Sequence, residues 1–177
     1  MTRTLIGLVV LALSAPVAAV AQTPPGTDDG DYEQVPAGGD VPATLSLKID
    51  APATFAPFAP GVDGTYEATM TGDVVSTTGD AVLTVADPSA YGTGHLLNGT
   101  FVLPQPLEAL ASSPAGTGGA YAPVGGAASP TPLLRYSGPV SHDAITIGFR
   151  QAIRANDALR TGTYAKTLTF TLSTNAP

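Results

Sequence analysis

His95 and His142 are the only imidazoles in the chain, so a base-assisted nucleophile or a histidine-ligated metal would have to use one of them. His142 lies in SGPVSHDAI, beside Ser137, Ser141 and Asp143. Adjacent side chains on a strand point to opposite faces, so His142 and Asp143 should not pair directly. His95 lies in the glycine-rich stretch YGTGHLLNGT. Neither histidine has metal-ligand spacing, and the chain holds no Gly-x-Ser-x-Gly elbow and no His-Glu-x-x-His. A carboxylate pair would serve glycoside cleavage. The glutamates are only Glu33, Glu67 and Glu108, and a chain without tryptophan lacks the usual sugar platform, so a secreted hydrolase ranks last among the readings. Asp28, Asp29 and Asp31 do not follow the alternate spacing of an EF-hand loop. With no cysteine, thiolate metal sites, iron–sulfur clusters, disulfides and cysteine nucleophiles are excluded. These residues therefore point to a non-enzymatic protein with no cofactor and no metal.

The N-terminus gives a compartment. Arg3 precedes an apolar run from Leu5 to Leu13, Pro16 breaks it, and Ala19-Val20-Ala21 supplies the small residues of a cleavage site. This pattern reads as a signal peptide over 1–21, too short to span about 30 Å of hydrocarbon. The expected mature chain has no further transmembrane segment and is secreted. It must fold in an oxidising place without disulfides, which its length allows. A net charge of −7 argues against a nucleic-acid partner.

Residues 22–43 carry five acids and no base and read as a flexible acidic linker. From residue 44 the period becomes two. Leu45, Leu47 and Ile49 alternate with polar residues, as do Tyr66, Ala68 and Met70. The same holds for Ala81, Leu83 and Val85, for Phe101 and Leu103, and for Leu107, Ala109 and Ala111. Leu134 and Tyr136, then Ile145, Ile147 and Phe149, continue the pattern. Tyr164, Lys166, Leu168, Phe170 and Leu172 alternate with small and threonine residues through 163–173, the clearest strand in the chain. With 20 glycines and 17 prolines punctuating eight or nine such runs, the expected fold is all-β, a single antiparallel Greek-key-type β-sandwich over 44–177. The stretch 150–160, RQAIRANDALR, reads as one short turn of helix in a connection. Residues 112–132, with five glycines and four prolines around Tyr121, read as a long irregular loop.

Charge is uneven along the chain. Residues 44–134 hold one base and seven acids, whereas 135–177 hold five bases and two acids. The bases are Arg135, Arg150, Arg154, Arg160 and Lys166. If 145–153 and 163–173 are neighbouring strands, these residues could gather on one face and meet an anionic wall polymer.

The chain end carries Tyr164, Leu168-Thr169-Phe170-Thr171-Leu172 and, at the last position, Pro177. This resembles the C-terminal motif of the WxL domain, a Gram-positive cell-surface module, with Phe170 where that family has tryptophan and without its upstream Trp-x-Leu. The resemblance implies non-covalent attachment to peptidoglycan, with Tyr164, Leu168, Phe170, Leu172 and Pro177 as the motif residues. The expected protein is an exported, cell-wall-associated β-sandwich module whose partner is a wall polymer or a surface protein. The alternative is a subunit of a surface assembly that pairs through an edge strand.

Overall fold

The computed structural model describes residues 36–174, so the expected signal peptide, most of the acidic linker and Pro177 lie outside the described residues. Alternating apolar and polar side chains build β1 (Leu45–Ile49), β2 (Gly64–Ser76) and β3 (Ala81–Ala86). A small hairpin, β4 (Leu97–Asn98) and β5 (Phe101–Val102), precedes β6 (Leu107–Ser112). Two short strands follow, β7 (Thr117–Gly118) and β8 (Ala122–Pro123). The rest are β9 (Thr131–Tyr136), β10 (Val140–Ile153) and β11 (Thr169–Ser173). The described residues contain no helix, and none is long and apolar enough to cross a membrane.

The fold is all-β. One antiparallel sheet has the order β1-β2-β10-β6-β8 and the second has β11-β3-β9-β7. After β2 the chain changes sheet at nearly every connection, so most pairings join distant residues. Both sheets feed one core. Val74, Ala109, Ala111, Ile145, Ile147 and Phe149 come from the first, and Leu83, Val85, Leu134 and Tyr136 from the second. Each fully buried aliphatic side chain contributes about 1.5–3 kcal/mol relative to exposure. Phe149 and Phe170 meet between the sheets, ring centroids 6.4 Å apart and nearly perpendicular.

Four expectations change. Residues 150–153 finish β10 rather than begin a helix, because Gln151 takes an inward position between Phe149 and Ile153 and is fully buried. Its amide donates to Gln105 O at 3.1 Å. The turn that follows closes with Asp157 N–H on Arg154 O. Residues 112–132 are not irregular throughout: β7 pairs with β9 and β8 with β6, giving strands to both sheets. The last strand is shorter than 163–173. Pairing with β3 covers only Thr169–Ser173, and Ala165 instead exchanges hydrogen bonds with Leu97. Finally, β10 and β11 are in different sheets, so 145–153 and 163–173 are not neighbouring strands.

Candidate functional site

The outer face of the first sheet gathers the polar groups with most chemical potential. Register places Arg150 of β10 opposite Glu67 on β2 and Glu108 on β6. Arg150 Nε and Nη2 both donate to Glu108 Oε2 at 2.8 Å. The Tyr121 ring lies over the guanidinium, 4.3 Å from its centroid to Cζ. Gly148, two residues back on the same face, provides the seat: a Cβ there would sit 2.9 Å from the Tyr121 hydroxyl. Burial, with the Glu67 charge, raises the Tyr121 phenol above its ordinary value against the pull of Arg150, so it remains a neutral hydroxyl at pH 7. Beside this pair opens a recess of about 310 Å³ lined by Thr65, Gln105, Glu108, Arg150 and Arg154.

A planar guanidinium, a carboxylate, an amide, hydroxyls and an aromatic ring on one face suit a ligand rich in hydroxyl and amide groups. Glu67 and Glu108 flank β10, two strand spacings or about 10 Å apart along the sheet. That is near the separation used in inverting glycoside cleavage. In the register Arg150 stands between them, and it bonds one of the two, Glu108.

The five basic residues do not form one cluster. Arg150 and Arg154 share the recess. Arg135 is on β9 in the other sheet, and Arg160 lies in the connection before β11. Lys166 is consumed inside the protein. Its ammonium donates to Asp87 Oδ2 at 2.8 Å and to the carbonyls of Tyr91 and Gly92 at 2.8 and 3.1 Å. Asp87 also accepts from Ser89 N–H and Gly94 N–H. Burial works against its ionised form, but these donors outweigh it and hold the carboxyl below the usual aspartate value.

The motif residues face inward. Tyr164, Leu168, Phe170 and Leu172 are half-buried against the core while the intervening residues are exposed, as the alternation foretold. Between this stretch and the strap 52–58 lies a second, apolar cavity of about 620 Å³. Four of the chain's five phenylalanines line it: Phe55, Phe58, Phe149 and Phe170.

The histidines are apart from both sites. His95 Nδ1 lies 2.7 Å from Leu103 O. His142, at positive φ in a bulge of β10, lies 3.2 Å from Asp73 and is largely exposed. Asp143 turns the other way and accepts from Ala115 N–H, so the opposite orientation expected of neighbours on a strand is found. The described residues hold no group of three histidine or carboxylate side chains placed for a metal.

Sequence reasoning missed the Tyr121–Arg150–Glu108 arrangement, because its members come from three separate segments. The signal for the Lys166–Asp87 pair was present: a lysine in an apolar stripe demands a buried partner. The fold and this face define an all-β domain with a polar recess beside an arginine that a tyrosine ring covers. No family model, curated protein or solved structure matches the chain.

Proposed function

We propose that this chain is an exported, non-enzymatic cell-surface module that binds a cell-wall polymer through the outer face of its first sheet. The observation that carries the reading is Tyr121 laid over Arg150, itself bonded to Glu108, beside an open polar recess. Support for export comes from the signal-peptide pattern of residues 1–21. The C-terminal likeness to the WxL module favours peptidoglycan as the polymer. The inward-facing motif residues then serve the core, and the polymer contact passes to the outer face.

The test is sedimentation of the purified protein with washed cell walls at low and moderate salt. Pelleting that survives moderate salt and is lost in Tyr121→Ala, with Arg135→Ala unaffected, is the expected result. A wild-type protein that stays in the supernatant overturns the reading.

A second reading is favoured by the position of β11, which pairs only with β3 and ends its sheet. Its outer edge could accept a strand from another copy, building a surface assembly. Light scattering separates the two, since assembly requires oligomers without wall material.

A further inference from the structure

We infer that β1 is a self-pairing edge: two copies of this chain join antiparallel along β1, about a twofold axis at Leu47, and extend the first sheet from one copy into the next. The ladder with β2 decides which backbone groups are free. Thr77 N–H donates to Thr44 O and Asp50 N–H to Thr71 O, so the even residues of β1 bond inward to β2. The N–H and C=O groups of Leu45, Leu47 and Ile49 therefore point away from β2, and none has a partner among the described residues. They form a continuous row along an edge with no bulge and no proline inside it.

The other edges are less suited. β7 and β8 are 2 residues long, and β8 holds Pro123. The exposed side chains of β11 are Thr169, Thr171 and Ser173, all neutral hydroxyls, so nothing there fixes a register. The outer face of β1 carries Ser46 and Lys48, and the ladder continues that face to Thr44 and Asp50.

These four side chains choose both the occupant and its register. A twofold axis at Lys48 sets ammonium against ammonium, and one at Asp50 sets carboxylate against carboxylate. An axis at Ile49 runs the pairing into the bend at Ala51. An axis at Leu47 keeps the whole strand in the overlap. It sets Lys48 opposite the Ser46 hydroxyl of the second copy and Asp50 opposite the Thr44 hydroxyl, so each charge meets a group that can answer it. On the inner face it lays Ile49 of the second copy over Leu45, a large apolar side chain left 41% exposed. Lys48, the kind of residue that guards an edge, lies 3.3 Å from Asp50, which offsets its charge.

The join carries the outer face of the first sheet into that of the second copy, so a dimer holds two Tyr121–Arg150 sites on one sheet. That consequence rests on the wall-polymer reading: a long polymer meeting both sites gains avidity. The dimer itself does not rest on it.

The experiment is sedimentation equilibrium of the purified protein, without wall material, over about 1 to 500 μM. A monomer–dimer equilibrium that stops at two copies is expected. Ser46→Glu, opposite Lys48 of the second copy, is expected to tighten it at least tenfold, and Ser46→Lys to weaken it at least tenfold. Both changes are at an exposed position. The chain has no cysteine, so introduced thiols report the register. Residues 46 and 48 would face each other at a non-hydrogen-bonded position, with Cα atoms about 4.5 Å apart, within disulfide reach. Mixed and oxidised, Ser46→Cys and Lys48→Cys proteins are expected to give the mixed dimer in preference to either homodimer. Tyr121→Ala is expected to dimerise as the wild type does, so loss of wall binding and loss of the dimer are separate results. A monomer at every concentration, equal cross-linking in the homodimers, or a mass that climbs past two copies, the mark of assembly through β11, would each overturn the proposal.

Discussion

Lys166 Nζ lies 2.8 Å from Asp87 Oδ2 with both side chains almost wholly buried, and this contact fastens the segment before β11 to the loop after β3. Every donor of the ammonium and both carboxylate oxygens are engaged. Removing one partner would strand the other's charge. Lys166→Met should therefore cost about 3–5 kcal/mol, the range for breaking a buried pair, as measured by urea unfolding.

The same carboxylate sets an acid limit. Asp87 titrates below 3.8 when folded, so its contribution is present above that value and is lost as pH falls through the lower, folded value. Unfolding midpoints measured between pH 5 and 2 should fall steeply in the wild type. Asp87→Asn should be less stable at neutral pH and show a flatter profile; an equally steep one would count against this assignment.

Tyr136 sets the alkaline limit. Its hydroxyl is buried near Ser113 and Asp143 but meets neither at hydrogen-bond geometry, and Asp143 Oδ2 is likewise unpaired. Burial first, and Asp143 in addition, push the phenol up to about 12 against the pull of Ser113. Stability from this neutral phenol is complete below pH 10 and lost as pH rises from 10 through about 12. Tyr136→Phe should remove that loss and be close to neutral at pH 7, since it deletes an unpaired polar atom. Thermal unfolding at pH 7 and pH 11 checks both.

Gly148 tests the wall-polymer face without touching a charge. A methyl group there meets the end of the Tyr121 side chain, not backbone, so the ring should lift and the strand should stay. Gly148→Ala should change stability by less than about 1 kcal/mol and weaken sedimentation with cell walls. Retained binding would mean that the ring's seat over Arg150 is not used.

Phe170 is half-buried and meets Phe149 edge to face. Phe170→Ala should cost about 2 kcal/mol, below the 3–5 usual for a fully buried phenylalanine. Urea unfolding gives the value. Wall binding should persist in the folded variant, because the outer face is on the other sheet.

Strand positions were legible wherever apolar residues alternated cleanly, as at Leu83 and Val85 or Ile145, Ile147 and Phe149. Legibility failed where a polar residue took an inward place. Gln151 broke the stripe, so 150–153 read as the start of a helix although it completes β10. Pairing partners were not legible, because register joins residues such as Arg150 and Glu108 across 42 positions. The candidate site depended on that register and on Tyr121, which comes from a stretch whose glycines and prolines masked two short strands. The basic cluster failed for a related reason: a count of charges along the chain does not say which sheet each will join.

The chain's zigzag between sheets also has a temporal side. β3 pairs with β11 some 87 residues later, as in Thr84 Oγ1 with Thr171 O. Such long-range topologies fold slowly, in about milliseconds to seconds. During synthesis Asp87 lacks the Lys166 counter-charge until that residue is made. The closing contact therefore waits for Lys166 and β11, and the second sheet cannot be completed before they are made.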